Sequence, residues 1–571
     1  MSASRRLNNA WSALDNNASM VAPLIDSLDD LSKRLARDEA FRLELGNSEP
    51  PLWPTLHHLW SLTSSTVQDD GEDARRFRLS VARFTRNLVA AVPQNQQRAF
   101  ENELAIRKLI RQYTSFSHSQ DESSLPVTRM LVQALSNMVT ANVELAQKLW
   151  SIYMDLPMED LILIRLLGVS DIGTMASTLV LILNCIQSHR TQVEQFANSR
   201  SGPRLSISLL DQIAELFNAE ESTERGRAFD IGYAIFSRIF EEGLTPQLYA
   251  KISVPDEVVT PHQTVLLKLL DSYLHGPRIP EPLTLEQRRE LCKMLVTIFF
   301  CLTSYTQHAI SQALGPKHTR STPVDVAADP LVNRPSSPTN YEENIVDTDT
   351  PLPMGELDLL LPKVCEALVL VTQCLTSLTL QSEEVKISAS QGRLAAEPED
   401  LKLYVSDARS ISDVGFVESL IDTLRLIDRF LPRITMGKVA PPPVHVGDTR
   451  GKINNLNEGR NQNTGAAAKA LSDDPKGFAY LKRDLVRLLG ILVYRSRAVQ
   501  DRVRLCGGIP VVLNLCVIDE RNPYLREHAI FALRNLLENN PENQALVNEI
   551  QPLREWDEHG VLSDRPEVSH R

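Results

Sequence analysis

The sequence contains few of the residues and runs that mark secreted, membrane or cofactor-binding proteins. Aromatic residues make up 6% of the 571-residue chain, and its seven cysteines are scattered through apolar text. Scattered cysteines are typical of small buried side chains in a reducing compartment. The opening residues, MSASRRLNNAWSALDNN, lack the apolar core of a signal peptide, and no run approaches the roughly 18 apolar residues of a membrane helix. These absences predict a cytoplasmic protein that does not insert into a membrane.

Basic residues are scarce relative to acidic ones. The chain has 60 lysines and arginines against 72 aspartates and glutamates, which gives a formal net charge of -12. A nucleic-acid-binding domain is expected to be basic, so this balance argues against general affinity for DNA or RNA. The excess of acidic residues favours solubility and fits basic or neutral protein partners.

Motifs for catalysis and metal binding lack the spacing that their chemistry needs. A phosphate-binding loop requires Gly-x4-Gly-Lys-Ser/Thr, and the stretch 459–465 has neither that spacing nor that ending. The stretch 168–173, GVSDIG, has one residue too many for the Gly-x-Ser-x-Gly turn of a serine hydrolase. The nearest metal candidates, His57-His58 and the Cys365/Cys374 pair, do not have the close Cys-x2-Cys or His-x3-His spacing of metal sites. The sequence therefore predicts no enzyme, no cofactor and no metal site.

Helical periodicity is abundant, and its clearest case is residues 522–550. Asn522 followed by Pro523 predicts a helix start, since asparagine caps helices and proline fits the first helical position. Apolar residues at helical spacing predict that this helix ends near Asn539, before a second short helix from Pro541. The same pattern occurs 44 residues upstream, where Tyr480, Leu481, Leu489, Leu492, Gln500 and Val503 match Tyr524, Leu525, Leu533, Leu536, Gln544 and Val547.

A further copy lies far upstream, where residues 86–96 repeat residues 534–544. In both, Arg-Asn-Leu is followed at identical spacing by Pro and then by Asn and Gln. Weaker copies of the helix-ending asparagine occur at Asn137 and Asn184, which gives intervals of 50, 47 and 44 residues. A period of about 40 to 47 residues is typical of armadillo and HEAT repeats.

The segment between the two C-terminal copies favours one of these repeat types. Gly507 and Gly508 predict a tight turn with positive φ, and Pro510 predicts the start of a helix over 509–518. With a short helix over 499–506 and the long helix from residue 522, each unit has three helices, as in armadillo repeats. We therefore predict an all-α fold, an armadillo-like α-solenoid forming a right-handed superhelix with disordered insertions.

The C-terminal text also resembles a known family. The combination RNPYLREHAIFALRNLLENNPENQ, residues 521–544, is similar to the C-terminal domain of the ataxin-10 family, including its fungal homologues. The resemblance implies an armadillo-like protein without catalytic activity, located in the cytoplasm. It also implies roles in the regulation of cytokinesis and in signalling through partner binding.

Changes in composition divide the chain into segments. Proline-rich text with little periodicity predicts disorder, because such text cannot bury enough apolar surface to offset its ordering entropy. The predicted segments are an N-terminal helical cap (1–72), armadillo-like repeats (73–314), a disordered insertion (315–353), helical repeats (354–435), a low-complexity insertion (436–475), a C-terminal ataxin-10-like domain (476–555) and a flexible tail (556–571).

Four asparagines are candidate partner-binding residues, and we call them the Asn row: Asn87, Asn137, Asn184 and Asn535. The chain resembles peptide-carrying armadillo proteins in its repeat plan, and in those proteins an asparagine near the end of each third helix binds the main chain of a peptide. A tryptophan four residues earlier helps, and here that position holds Arg83, Gln133, Val180 and Phe531. The sequence leaves two interpretations open: the Asn row, with Phe531, binds a peptide, or its side chains hold adjacent helices together.

A local group of basic residues is the second candidate. This basic cluster comprises Lys482, Arg483, Arg487, Arg495, Arg497, Arg502 and Arg504. It could dock an acidic segment of a partner, with Arg483, Arg487 and Arg495 as the binding residues. The alternative is a solvated helix face, partly paired with Asp484 and Asp501.

The predicted function is a non-catalytic scaffold that binds other proteins. One alternative is an armadillo-type carrier of basic peptides, which the net acidity and the Asn row suggest. Another is a metal-trafficking factor without an evident metal site, since a fungal branch of the family carries a copper-transport name. The sequence does not identify the partner, and self-association stays open.

Overall fold

The computed structural model describes residues 3–16, 21–65, 71–119, 121–187, 189–276, 283–314, 358–390, 400–431, 433–435, 438–439, 478–549, 554–556 and 562–564. The predicted insertions at 315–353 and 436–475 lie outside the described residues, apart from 438–439, and so does most of the predicted tail. Two compact units are formed by residues 1–291 and 292–571. The finer division into cap, repeat blocks and C-terminal domain stays a prediction.

The first unit is built from helices. In chain order they are α1 (Ala3–Asn16), α2 (Val21–Leu35), α3 (Glu39–Gly46), α4 (Trp53–Ser65), α5 (Glu72–Leu88), α6 (Pro93–Ala99), α7 (Glu103–Tyr113), α8 (Phe116–Ser119), α9 (Leu125–Val139), α10 (Val143–Met154), α11 (Ile162–Leu167), α12 (Ile172–Ile186), α13 (Arg190–Asn198), α14 (Gly202–Leu216), α15 (Glu224–Glu241), α16 (Thr245–Lys251) and α17 (Pro261–His275). Single 3-10 turns occur at Phe100–Asn102 and Met158–Asp160.

Helices also dominate the second unit, and the first of them begins just before the boundary. They are α18 (Leu285–Leu314), α19 (Leu361–Ser390), α20 (Leu401–Asp407), α21 (Phe416–Phe430), α22 (Leu481–Val493), α23 (Arg497–Leu505), α24 (Gly508–Asn514), α25 (Leu525–Leu537) and α26 (Pro541–Glu549). The strands β1 (Ile434–Thr435) and β2 (Lys438–Val439) form one antiparallel pair, and β3 (Arg554–Trp556) and β4 (Leu562–Asp564) form another. No longer strand occurs in the described ranges.

One long helix of each repeat packs against its counterpart in the next repeat, and we call these helices the inner row. In the first unit the inner row runs through α2, α5, α9, α12 and α15, and in the second unit through α19, α22 and α25. In the most regular repeats two shorter helices precede the long one, as α10 and α11 precede α12, and α23 and α24 precede α25. This three-helix repeat confirms the predicted all-α, armadillo-like solenoid, in which each repeat packs on its neighbours.

The nearly all-apolar sequence STLVLILNCI forms part of α12. Helices α9 and α15 flank α12 on its two sides, and Leu179, Ile182 and Ile186 have no exposed surface. A helix covered on both sides needs apolar residues around most of its circumference. The burial of α12 between these two helices therefore explains its apolar composition.

The 44-residue period is also a period of backbone geometry. Tyr480 and Tyr524 precede α22 and α25, and both have left-handed φ values, 66° and 65°. Arg495 and Asn539 follow these two helices with φ values of 52° and 54°. Because non-glycine residues seldom adopt positive φ, such agreement identifies equivalent turns. Gly507 has the predicted positive φ, 67°.

Residues 86–96 and 534–544 adopt the same local geometry. Asn95 Nδ2 donates to the Leu88 carbonyl at 2.9 Å, and Asn543 Nδ2 donates to the Leu536 carbonyl at 2.8 Å. Both bonds span seven residues and close the turn between two successive helices. The distant repeat found in the sequence is therefore confirmed.

The predicted start of the last long helix was wrong. Helix α25 begins at Leu525, with Tyr524 at its N-cap. Asn522 instead accepts a hydrogen bond from the Lys482 backbone N–H at 3.1 Å and donates to Asp519 at 2.9 Å. Asn522 therefore caps α22, the equivalent helix of the preceding repeat.

One further boundary differs from the sequence expectation, and two short helices were not expected. The helix predicted over 509–518 ends at Asn514, and the short helices α16 and α20 were not predicted. Apolar residues at helical spacing extend over 284–314 and 415–431, and these stretches form α18 and α21 to within one residue at each end.

One described helix, the segment Leu361–Glu383 of α19, is long and apolar enough to cross a membrane. It includes threonine, glutamine and serine, so a search for purely apolar runs missed it. In the structure 78% of its most apolar window is buried inside the protein, as in the core helix of a soluble protein. The helices α12 and α13 pass the same test only as a pair bent by 119°.

Candidate functional site

The Asn row hydrogen-bonds the preceding helix of the inner row. Asn87 Nδ2 donates to the Ser32 carbonyl at 2.9 Å, and Asn137 Nδ2 donates to the Arg86 carbonyl at 3.0 Å. Asn535 Nδ2 donates to the Gly490 carbonyl at 2.9 Å. Asn184 Nδ2 donates to the hydroxyls of Ser136 and Thr140 at 3.1 and 2.9 Å. These bonds support the interpretation that the Asn row holds adjacent helices together, and peptide binding by it stays a prediction.

In the N-terminal and in the C-terminal repeats, a glutamine side chain also hydrogen-bonds carbonyl groups near the end of an inner-row helix. Gln96 Nε2 donates to the carbonyls of Asn137 and Thr140 at 2.9 and 3.0 Å, and its Oε1 accepts from Asn142 at 3.0 Å.

Gln500 repeats the arrangement in the C-terminal repeats. Its Nε2 donates to the carbonyl of Asn535 at 2.9 Å, and its Oε1 accepts from Asn540 at 3.1 Å. We call each such set the Gln–Asn clamp. The clamp satisfies buried amides and carbonyls between repeats, which is a structural role.

The residues at the tryptophan position do not form an aromatic array. Arg83 donates to Asp29 at 3.0 Å, and Gln133 donates to Ser177 at 3.3 Å. Val180 lines a groove in the first unit, and Phe531 is 48% exposed on α25. Phe531 is the only aromatic residue among these four, and its side chain is accessible to a partner.

Lys482 does not belong to a basic surface. It is completely buried, and its Nζ donates to Asp428 at 3.0 Å and to the Leu431 carbonyl at 2.8 Å. Asp519 lies 3.9 Å away. Burial lowers the pKa of Lys482, and the two carboxylates oppose this. The prediction that Lys482 contributes to an exposed basic cluster was wrong.

Three arginines of the basic cluster form ion pairs and hydrogen bonds within the second unit. Arg502 binds both oxygens of Glu418 at 3.0 and 2.6 Å and donates to the Ser406 carbonyl at 2.6 Å. Arg504 donates to Asp501 at 2.8 Å and to Asn543 at 2.7 Å. Arg497 pairs with Asp501 and Glu542. These contacts connect successive helices and leave little of the cluster for a partner.

Of the remaining members of the cluster, Arg495 is exposed, and Arg483 and Arg487 are half-buried. Arg483 stacks over the Tyr480 ring at 4.3 Å and pairs with Asp484 at 2.7 Å. Arg495 is exposed and lies 5.0 Å from the Tyr494 ring. Arg487 is half-buried and near His528, whose pKa is lowered by burial and by the charges of Arg487 and Arg483. Partner binding by these arginines stays a prediction.

An apolar surface on the last long helix, which we call the end face, was not predicted; it consists of Ile530, Leu533 and Leu537. These residues lie 44 positions after Val486, Leu489 and Val493, which are fully buried in α22 between α19 and α25. Among the described residues no further inner-row helix follows α25, so Ile530 is 48% exposed and the two leucines are half-buried. The repeat period could have found these positions, because it identifies which residues the next repeat would cover.

A groove in the first unit was also missed. It has a volume of about 510 Å³ and is lined in part by Arg42, Arg86, Asn87, Arg129 and Asn137. Two members of the Asn row therefore lie at a groove with several arginines. The arginines are separated by more than 40 residues in sequence, so no local motif pointed to them.

The described residues contain no group of three or more His, Cys, Asp and Glu side chains placed to hold a metal ion. Cys185, Cys292, Cys365 and Cys374 are buried, as predicted for small apolar side chains, whereas Cys301 is exposed. Burial raises the pKa of both Cys185 and Cys365 to about 12. These two thiols are therefore protonated at neutral pH and packed in the core.

The C-terminal part of the chain is similar to known proteins. Residues 481–566 match the family model described as the spinocerebellar ataxia type 10 protein domain. An ataxin-10 homolog of Dictyostelium discoideum is 45% identical over 83 residues, which are 14% of this chain and 13% of the relative. Another, from Candida albicans, is 36% identical over 87 residues, 15% of this chain and 19% of the relative. The matched segments thus span less than a fifth of these relatives.

Solved structures of low sequence identity were found as well. An engineered protein has a TM-score of 0.34 and 11% identity, with 94% of this chain and 99% of that chain covered. SYS-1 in complex with POP-1 has a TM-score of 0.33 and 9% identity, with 94% and 99% covered.

The domain match coincides with the segment whose residues carried the resemblance in the sequence, and it includes α22 to α26 with the end face and the second Gln–Asn clamp. Residues 481–566 are therefore similar to the domain that characterises the ataxin-10 family.

Proposed function

We propose that this protein is a non-catalytic scaffold that binds other proteins in the cytoplasm, in the regulation of cytokinesis and in signalling. The end face of the ataxin-10 domain carries the proposal. Ile530, Leu533 and Leu537 occupy positions that the preceding repeat buries, and the described chain leaves them partly open to solvent. Apolar side chains at such positions favour contact with another protein surface.

Burial of the end face against a partner would contribute favourable free energy to binding. Full burial of one leucine or isoleucine side chain contributes about 1.5–3 kcal/mol relative to exposure. Three neighbouring side chains that are already partly buried therefore form an apolar centre, of the kind that dominates protein interfaces. Arg526 and Arg534 are exposed on the same helix and would lie at the polar rim.

The process and the compartment rest on the family. The ataxin-10 resemblance implies roles in cytokinesis and cytoplasmic signalling, and the match over residues 481–566 supports carrying these roles over as proposals. The matched relatives are covered only over their related segment. Their further functions are therefore not assigned to this chain.

The alternative of a carrier for basic peptides is not favoured by the groove beside Asn87 and Asn137. Arg42, Arg86 and Arg129 line this groove, with Glu224 as the acidic residue of its lining. Arg129 is paired with Asp171, but Arg86 donates to neutral amide oxygens. The charge of Arg86 would therefore repel a basic side chain at short range. No observation in the described residues favours the metal-trafficking alternative.

The test is cross-linking mass spectrometry on the tagged full-length chain in cells. Leu533→Glu places a charge at the centre of the end face, so we expect the set of proteins cross-linked to α25 and α26 to be lost. Leu505→Glu is the matched control, because Leu505 is 80% exposed on α23 and its replacement leaves the end face intact. Recovery of the same proteins with the parent and Leu533→Glu would refute binding at the end face.

Folding must be preserved for this comparison. Leu533 is only half-buried, so we expect Leu533→Glu to keep the thermal unfolding midpoint of the parent within a few degrees. Leu533→Ala provides a second variant that removes apolar area without adding charge, and we expect it to weaken the same cross-links partially.

A further inference from the structure

The groove of the first unit indicates one kind of partner for the protein. This inference rests on the proposed scaffold function. It crosses the inner row at α5, α9 and α12, with Arg42 from α3 and Glu224 from α15 at its margins. Its floor is polar, with Gln133, Asn137 and Ser177 among the lining residues. The charges around it decide what could bind.

Two arginines near the groove have carboxylate partners. Arg129 binds both oxygens of Asp171, at 2.5 and 3.1 Å. Arg83 is paired with Asp29 at 3.0 Å. Their charges are therefore compensated within the protein.

Arg86 differs from these two. Its Nε donates to Asn87 at 3.0 Å and its Nη1 donates to Gln133 at 2.7 Å, and both acceptors are neutral amide oxygens. Among the described residues no carboxylate lies within ion-pair distance of Arg86. Burial and the nearby charge of Arg83 lower its pKa, which agrees with a cation that lacks a counter-ion.

The two amides also fix the orientation of the Arg86 guanidinium. Gln133 is itself held by a bond to Ser177, 3.3 Å away on α12. A guanidinium held in this way needs little further ordering when a ligand binds. Its Nη2 remains available for an anionic oxygen, and charge-assisted bonds to carboxylates are about twice as strong as neutral ones.

Arg42 provides a second unsatisfied group at the groove. Its side chain is 11% exposed, and its Nε is buried without a hydrogen-bond partner. Its Nη1 donates to the Leu35 carbonyl at 2.8 Å, and Glu39 lies 3.7 Å from its Nη2. Arg42 therefore has an unsatisfied donor at the groove, although Glu39 offsets part of its charge.

We propose that this groove binds an extended acidic segment of a partner protein, with an Asp or Glu carboxylate on Arg86. The carboxylate would supply the counter-ion that the described chain does not provide. The segment would lie across α5, α9 and α12, and a second acidic side chain would approach Arg42. Basic segments would be excluded by the same charges.

The experiment is fluorescence anisotropy with the full-length protein and labelled synthetic peptides. The probes are a peptide that alternates glutamate with serine, its counterpart with glutamine in place of every glutamate, and a third with lysine in that place. We expect saturable binding of the glutamate peptide, weakened by salt because exposed charges are screened. Equal binding of the glutamine peptide, or preferred binding of the lysine peptide, would overturn the proposal.

The variant Arg86→Gln should weaken binding of the glutamate peptide about tenfold, which is the effect of losing one charge-assisted contact. Arg76→Gln is the matched control, because Arg76 is exposed on the same helix and its loss changes the net charge equally. We expect Arg76→Gln to change the affinity less than about twofold. Equal affinities for the parent and Arg86→Gln would disprove the assignment.

The variant Arg86→Lys distinguishes the loss of the carboxylate contact from a folding defect in Arg86→Gln. It keeps the charge but not the planar fork, so an affinity between those of the parent and Arg86→Gln is expected. Failure of the groove and failure of the scaffold function give different results, because the end-face variant Leu533→Glu should leave peptide binding unchanged. Loss of peptide binding in Leu533→Glu would show that the groove is not an independent site.

Discussion

Lys482 lies in the core between Asp428 and Asp519, although the next residue, Arg483, is only half-buried. Replacing it by methionine would leave Asp428 paired with Arg433 alone and would remove the lysine charge beside the buried Asp519. We expect Lys482→Met to reduce the free energy of unfolding by about 3 kcal/mol or more, as for other broken buried ion pairs. Urea unfolding measures this, with the half-buried Arg487→Met as control. Equal stability of the two variants would show that Lys482 is not needed as a cation.

Asn535 tests the role of the Asn row. It is 2% exposed and donates to the Gly490 carbonyl. Its replacement by alanine should cost about 1–3 kcal/mol, the penalty for a lost buried hydrogen bond. Asn184→Ala, at a half-buried position, should cost less than about 1 kcal/mol. Chemical denaturation of both variants checks this order, and an unchanged stability of Asn535→Ala would favour the peptide-binding interpretation.

The Arg502–Glu418 pair should make stability depend on pH. The hydrogen bond from Arg502 lowers the pKa of Glu418 below its ordinary value, against an opposing effect of burial. A depressed carboxyl pKa stabilises the fold above the unfolded-state pKa of about 4.3, and this contribution is lost as the pH falls through the folded-state value.

The variant Glu418→Gln isolates this effect. We expect it to be less stable than the parent by about 1 kcal/mol at pH 7, because the pair is partly exposed. The difference should shrink towards zero at the lowest pH at which the parent stays folded. Urea titrations at several pH values measure it, with the exposed Glu527→Gln as control, and a difference independent of pH would contradict the argument.

At the scale of the elements, the contact between α22 and α25 depends on Gly490. A Cβ atom added there would lie 3.4 Å from the Cα and Cβ of Ala532, which is ordinary van der Waals contact. Gly490→Ala should therefore be tolerated, and it should stabilise the helix by about 0.5–1 kcal/mol through reduced backbone freedom.

A larger side chain at the same place should have the opposite effect. Gly490→Leu would force α22 and α25 apart and should cost about 1–3 kcal/mol through overpacking. Thermal unfolding of both variants gives the comparison. A destabilised Gly490→Ala would mean that the two helices lie closer than the structure shows.

At the scale of the whole molecule, the solenoid plan predicts local effects of core mutations. Leu135 has no exposed surface on α9, which packs against α5 and α12. We expect Leu135→Ala to cost about 2–5 kcal/mol and to increase amide exchange mainly in these three helices. Hydrogen exchange with mass spectrometry should show α22 and α25 unchanged, because repeats interact with their nearest neighbours. Uniform deprotection of the chain would contradict this.

The helices and their period were predictable because they depend on local sequence. Apolar residues at helical spacing located α18 and α21 to within a residue, and the 44-residue match anticipated the equivalent turns at Tyr480 and Tyr524. Helix formation depends on residues a few positions apart. A pattern read along the chain therefore contains the necessary information.

The surfaces were not predictable in the same way, because burial and charge pairing depend on residues distant in sequence. Asn522 caps a helix 40 residues upstream, and Arg502 finds Glu418 84 residues away. The sequence does not distinguish Arg86 from the other arginines. The structure shows that its hydrogen-bond acceptors are neutral amide oxygens.

The sequence by itself determined the helical class, the repeat period and the ataxin-10 domain, since these follow from residue order. Tertiary structure alone decided which charges are neutralised and which apolar positions stay uncovered. The physical reason is that both outcomes depend on what packs against a side chain, and stacking brings together residues that the sequence keeps far apart.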